Sequence, residues 1–357
     1  KFIMAYTTIN KHTDYFNTLL YTGNGGTNAQ TGVGFQPDWT WIKNRSGSDM
    51  HSLYDSVRGV NKILRTNGTN AESTQTDGLT AFGTDGFTVG AAGSVNTNSN
   101  NFVAWNWKAG TTGSGTTTGT GSAKAYSYSV NTTAGFSIVT YKGNGSAGQQ
   151  IPHHLGVVPQ CIILKPMDRA DNWRVYHVGT DNTSPGDYQL KLNNTNTRDD
   201  GADVWNDTIP TSTYFTLGSN AGVVTDNEDF IAYCFANKTG YSRFGSYEGN
   251  GESDGTFVYT GFKPALVIIK GTISGDGDAG QSWELYDNKR EGRNSTNDAL
   301  HPNLNSAEGS SSRVDLYANG FRAITNSDGV NDDESRYVYL AFGQSLVGTN
   351  NIPNNAR

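Results

Sequence analysis

Short runs of alternating apolar and polar residues, closed off by Gly, Asn or Thr, make up most of this chain. The clearest is FVAWNWK, from Phe102, in which Val103, Trp105 and Trp107 fall on one face of an extended strand. The pattern returns as FIAYCFANK from Phe230, aligning Ile231, Tyr233 and Phe235, and as YVYLAFG from Tyr337, aligning Val338, Leu340 and Phe342. The other face still carries Phe102, Phe230 and Tyr337, so these strands are expected to be central and covered on both sides. No segment shows the 3.6-residue apolar period of an amphipathic helix. The elements predicted are strands in antiparallel sandwiches joined by Gly/Asn turns.

These strands close a repeated unit. Each copy opens with Tyr-x-Gly-Asn-Gly: YTGNGG from Tyr21, YKGNGS from Tyr141 and YEGNGE from Tyr247. A proline and an apolar strand ending in lysine follow: PDWTWIK from Pro37, PQCIILK from Pro159 and PALVIIK from Pro264. Then come GFTVGAAGSV from Gly86, YFTLGSNAGVV from Tyr214 and GFRAITNSDGV from Gly320. Four landmarks in one order, three times over at nearly constant spacing, mark an internal repeat whose unit is long enough to be a sandwich. The fold class expected is all-β: three tandem antiparallel β-sandwich, jelly-roll-like domains at 1–109, 125–240 and 241–357. Residues 110–124, AGTTGSGTTTGTGSAK with its flanks, read as a flexible Gly/Ser/Thr linker about which the first domain swings. The shorter joint NKTGYSRFG implies a rigid second and third pair.

The repeated motif admits two readings. Gly23, Asn24 and Gly25 after Tyr21, Gly143, Asn144 and Gly145 after Tyr141, and Gly249, Asn250 and Gly251 after Tyr247 suit a turn with positive φ at the end of a strand. A binding loop is the alternative, although no Lys-Ser/Thr pair and no helix follow, as a phosphate loop would need.

Composition narrows the function classes. With 44 glycines and 11% aromatic residues the chain favours strands and turns. A net charge of −7 argues against a nucleic-acid partner. No apolar run is long enough to insert in a membrane, and the opening KFIMAYTTINK has no secretory core. Cys161 and Cys234 both lie in apolar runs; they read as buried free thiols, or as one bridge if their strands face each other.

Candidate chemistry is sparse. No run of alternating carboxylates of the sandwich-glucanase type occurs, and no histidine pair has zinc-ligand spacing, so no catalytic residues and no enzyme are expected. No cofactor is expected either, with Ca2+ at Asp276 and Asp278 of GDGDAG the one ion considered, against a plain solvated acidic loop. LYDSVRG from Leu53 and LYDNKREG from Leu285 pair Asp55 with Arg58 and Asp287 with Arg290, which reads as an internal ion pair fixing a turn or as a polar ligand contact. The second copy has VYHVG, without the Asp and Arg. Trp41 and Trp173 are the candidates for a sugar-stacking platform, against a reading as core tryptophans.

MAYTTINKHTDYFNTLLYTGNGG, GVGFQPDWTWIKNRS, LYDSVRG, DGFTVG and FVAWNWKAG together resemble a domain common in virion proteins of marine tailed phages, itself similar to the concanavalin A-like lectin/glucanase sandwich. The ending AFGQSLVGTNNIPNNAR resembles the C-terminus of such proteins. The first copy carries the resemblance most fully and the second least. It implies a non-enzymatic structural protein of the particle surface, in a tail fibre, tail tip or capsid decoration, made in the host cytoplasm and released by lysis. Other virion proteins, further copies of the chain in a homo-oligomer and a host-surface glycan are the partners it implies. Alternatives are a lectin whose sugar contact is the main function, and a glycan depolymerase with two facing carboxylates. No catalytic residue carries over from the family, and fold likeness to lectins does not make a lectin.

Overall fold

A computed structural model describes residues 7–275, 280–290, 294, 298–309 and 312–344. The chain is all-β, with antiparallel pairing in every sheet and only short helical turns. Three four-strand arrangements are built alike. The opening strands (Phe16–Thr22, Phe136–Lys142, Ser242–Glu248) pair with the closing strands (Asn101–Trp107, Asp229–Phe235, Arg336–Gly343). The closing strands pair with the lysine strands (Trp39–Asn44, Cys161–Pro166, Pro264–Ile273), and these with the edge strands (Ser52–Asp55, Arg174–His177, Glu284–Asp287). Register repeats with the order: Tyr21 faces Phe102, Tyr141 faces Phe230 and Tyr247 faces Tyr337.

Alternation along the closing strand sends its two apolar faces to two different cores. Phe102 and Ala104, like Phe230 and Ala232 and like Tyr337 and Tyr339, point into a sandwich interior completed by a small three-stranded sheet. The faces Val103-Trp105-Trp107, Ile231-Tyr233-Phe235 and Val338-Leu340-Phe342 instead meet in one core shared by all three sandwiches. Trp107, Phe235 and Phe342, equivalent in the three copies, touch one another there, with ring centroids 5.5, 5.7 and 6.5 Å apart. Burying large aromatics on both faces is what makes these strands central.

Two expectations are corrected. Residues 110–124 are not a flexible linker: Thr111–Thr116 pairs with Ala125–Asn131, and Thr118–Gly119 pairs with Gln149–Pro152. The glycines there answer packing, since a Cβ on Gly113 or Gly115 would lie 2.5 or 2.7 Å from the hydroxyl oxygen of Tyr128 or Tyr126. Nor does the first sandwich swing, because Trp39 stacks on Tyr233 of the second at 4.5 Å and Phe16 on Phe342 of the third at 5.4 Å.

Candidate functional site

The Tyr-x-Gly-Asn-Gly segments are turns with one construction. Each tyrosine is buried, stacks on the aromatic opposite at 5.1 Å, and donates its hydroxyl to a backbone carbonyl: Tyr21 to Val95, Tyr141 to Val223 and Tyr247 to Val330. The first glycine has no room for a Cβ, which would stand 2.0–2.2 Å from a carbonyl oxygen in every copy. The second has φ of +70°, +73° and +65°. Between them Asn24, Asn144 and Asn250 each accept the backbone N–H two residues on, as an Asx turn does. In the first and third copies a buried asparagine, Asn96 or Asn331, cross-links the turn. In the second, Gln149 accepts the Asn144 N–H instead, and Asn144 donates to Thr120 and Ser122 carbonyls of the segment expected to be a linker.

Between sandwiches, equivalent residues repeat one set of contacts around a closed ring. At the start of the edge strand, His51 Nε2 meets the His301 carbonyl at 3.0 Å, Trp173 Nε1 the Arg65 carbonyl at 2.8 Å, and Trp283 Nε1 the Lys191 carbonyl at 2.9 Å. Backbone N–H groups donate in the opposite sense, from Glu72 to Met167, from Arg198 to Thr272 and from Glu308 to Arg45. Each sandwich is thus bonded to both of its neighbours, the first and third included. The arrangement is a pseudo-threefold assembly within one chain.

The Asp–Arg pairs belong to this ring. Asp55 binds Arg58, and Asp287 binds Arg290 at 2.7 Å, with all four side chains buried. Desolvation works against both guanidinium charges, but Asp55 with Tyr233 and Glu72, and Asp287 with Glu308, together offset it and hold them protonated. Each aspartate also accepts a hydrogen bond from the next sandwich: Asp55 from the Tyr233 hydroxyl at 2.8 Å, Asp287 from Trp105 Nε1 at 3.1 Å. In the third interface the donor position is Leu340, which has nothing to give. His177 stands in the aspartate's register position there, and its Nε2 reaches the Tyr339 carbonyl at 3.1 Å. The absent Asp and the absent donor are one substitution made on both sides of a contact.

Other titratable groups are absorbed in the same way. Lys43, Lys165 and Lys270 are buried at equivalent positions and donate to backbone carbonyls, Lys43 reaching Asn305 and Lys270 reaching Thr195 of neighbouring sandwiches. Burial pulls Lys43 and Lys165 down to about 8 and Lys270 to about 7. His51, His153 and His177 each have Nδ1 facing an N–H donor and Nε2 facing a carbonyl, so all three are neutral with the proton on Nε2. Burial lowers all three, His153 and His177 to about 4.

The expected sugar platforms are not at the surface. Trp41 is buried with its Nε1 donating to His51 Nδ1, and Trp173 is buried in the ring contact above. Both are spent on the shared core, so neither offers a face for stacking. Asp276 and Asp278 lie outside the described residues. Among the described residues no three His, Cys, Asp or Glu side chains converge as a metal site would need. Cys161 and Cys234 are free thiols, and they point to opposite faces of their sheet, into different cores.

The surface does hold aromatics that the repeat did not call for, Tyr259 foremost. Tyr259 is 56% exposed, on the outer strand Phe257–Tyr259 of the third sandwich. Register puts Thr31 and Pro152 at its place in the other two copies. It lines a cavity of about 110 Å³ with Asn237, Lys238, Thr239, Arg243 and Thr260. The departure from Thr and Pro was the available signal, but it appears only once the strands are paired.

A single-chain, closed ring of β-sandwiches is the class this geometry defines. The chain belongs to the family described as Domain of unknown function (DUF7483), whose profile matches residues 11–345 and so spans all three sandwiches as one unit. No curated protein and no solved structure matches it.

Proposed function

We propose that this protein is a structural component of the surface of a tailed-phage particle, non-enzymatic, and contributing to attachment at the host surface. The observation that carries this reading is the fate of the reactive side chains. Three lysines, three histidines and two Asp–Arg pairs are buried and hydrogen-bonded, and all but Lys165 and His153 bond across a boundary between sandwiches. A closed ring tied by backbone and side-chain bonds suits a part that keeps its shape under mechanical load. The resemblance of the first sandwich to phage virion domains supplies the setting, and many copies on one particle would make weak surface contacts strong. A lectin whose main work is sugar binding is the second reading, favoured by the exposed ring of Tyr259.

The test is particle association. Particles of the encoding phage, purified by density gradient, are probed with antibodies to this chain by immunogold labelling and quantitative mass spectrometry. The chain is expected in the particles at a fixed copy number. Recovery only in the soluble lysate overturns the proposal.

A further inference from the structure

We propose that the cavity beside Tyr259 binds a carboxylate-bearing sugar unit of an acidic polysaccharide. This rests on the attachment half of the function proposed above and names its site and ligand class. Four observations converge on it. The Tyr259 ring is open to solvent on a strand fixed by pairing with Gly320–Ala323, so it presents a rigid flat face of the kind on which a pyranose stacks its C–H side.

Lys238 and Arg243 both line the cavity, and among the described residues no carboxylate does. Lys238 is half-buried, and among the described residues it makes no ion pair; burial lowers its proton affinity. Arg243 is exposed and bonds the hydroxyl of Tyr339, with no ion pair among the described residues. In a chain with a net charge of −7, two cations at one spot with no ion pair among the described residues mark a place for an anionic group. A guanidinium presents two N–H groups to a carboxylate in parallel, which gives direction as well as charge.

The mount is stiff. Lys238 sits in a turn closed by its own N–H on the Ser242 carbonyl at 3.0 Å and by Tyr241 N–H on the Lys238 carbonyl at 2.9 Å. Asn237 is held with its Oδ1 accepting the Phe244 N–H at 2.8 Å, which directs the amide's donors outward. Phe257, 43% exposed, follows Tyr259 on the same outer face and meets Tyr317 edge-on at 5.9 Å. A cavity of about 110 Å³ takes the carboxylate end of one sugar, and this aromatic row continues the contact along a polymer. A bare phosphate would leave the ring unused, and a neutral sugar would leave both cations unanswered.

The full chain is titrated calorimetrically with oligomers of polygalacturonate, alginate and polysialic acid, with the carboxyl-reduced neutral form of each, and with polyglutamate. At least one acidic saccharide is expected to bind. Its carboxyl-reduced form, and the variants Tyr259→Ala and Arg243→Gln, are each expected to lose at least about tenfold in affinity, the scale of one lost stacking or charged contact. Both side chains are exposed, so thermal melting within a degree or two of the parent confirms the fold of each variant. The proposal is overturned if no acidic saccharide binds, if Tyr259→Ala or Arg243→Gln binds as the parent does, or if polyglutamate binds as well as the saccharide. None of these outcomes bears on particle association, so this site and the particle role fail separately.

Discussion

The hydroxyl of Tyr233 donates to Asp55 Oδ2 at 2.8 Å across the boundary between the first and second sandwiches. Both side chains are fully buried, and Asp55 also carries Arg58. Tyr233→Phe keeps the ring that stacks on Trp39 and removes the hydroxyl, which donates to Asp55 and lies 3.5 Å from Arg58 Nη2. A buried hydrogen bond to a charged group contributes about 1.5–3 kcal/mol, so urea unfolding is expected to show a loss of that size. An unchanged midpoint would mean that Arg58 alone satisfies the carboxylate.

At the third interface the reverse change tests the paired substitution. His177→Asp puts a carboxylate against Leu340, with no donor at the place that Tyr233 and Trp105 fill elsewhere. A buried unpaired charge costs about 3–5 kcal/mol. Adding Leu340→Tyr restores the donor, and the double variant is expected to be more stable than His177→Asp alone. A double-mutant cycle with no coupling would sink the idea that the two positions answer each other.

Gly23, Gly143 and Gly249 are required by space. A Cβ at each would lie 2.0–2.2 Å from a carbonyl oxygen of a neighbouring loop. Each change to Ala is expected to destabilise by about 2–4 kcal/mol as the loop is pushed off its tyrosine. Gly309, with nothing within 4 Å, is the control, and Gly309→Ala should stay within about 0.5 kcal/mol of the parent. Equal effects at Gly309 and Gly23 would remove the packing explanation.

The repeat and its glycine turns were legible because the turn demands residue types, and the same types recur at Tyr21, Tyr141 and Tyr247. The ring was not. Trp105 and Phe102 lie on opposite faces of one strand, both apolar, and composition does not say which face covers which neighbour. Thr111–Thr116 was misread for a related reason: a flexible linker and a polar edge strand share a Gly/Ser/Thr composition. Trp41 and Trp173 could not be assigned to surface or core because tryptophan serves both. The Tyr259 cavity is assembled from the joint after the second sandwich and an outer strand of the third, so no local motif announces it.

Acid should loosen the protein before it strips its carboxylates. His12, His153 and His177 have folded-state values near 4, lowered chiefly by burial from an ordinary 6.5. For His153 and His177 a proton on Nδ1 would also point at a backbone N–H. Between pH 6.5 and 4 the unfolded chain therefore binds more protons than the folded one. The stability that these histidines supply is complete above pH 6.5 and falls as pH drops toward 4, by several kcal/mol in all at about 1.4 kcal/mol per pK unit. Urea midpoints measured across this range should fall steadily. His177→Gln, losing one titrating site, should flatten the slope; a profile level down to pH 4 would contradict the burial of these imidazoles.

Closure of the ring without covalent help predicts that a cut chain stays whole. Gly121 and Ser122 lie on an exposed turn between Thr118–Gly119 and Ala125–Asn131. A protease site inserted there divides the chain into a piece carrying the first sandwich and a piece carrying the other two. The pieces remain joined by the Trp107-Phe235-Phe342 contact, by Tyr233 on Asp55 and Trp105 on Asp287, and by the backbone bonds of Glu72 and Glu308. Thr111–Thr116 on the first piece also completes the sheet of the second. After cleavage the two pieces should elute as one species at the intact size and part only in denaturant. Burying large aromatics at about 2–3 kcal/mol each supports that association. Separation in plain buffer would show that the connection, and not the shared core, holds the first sandwich in place.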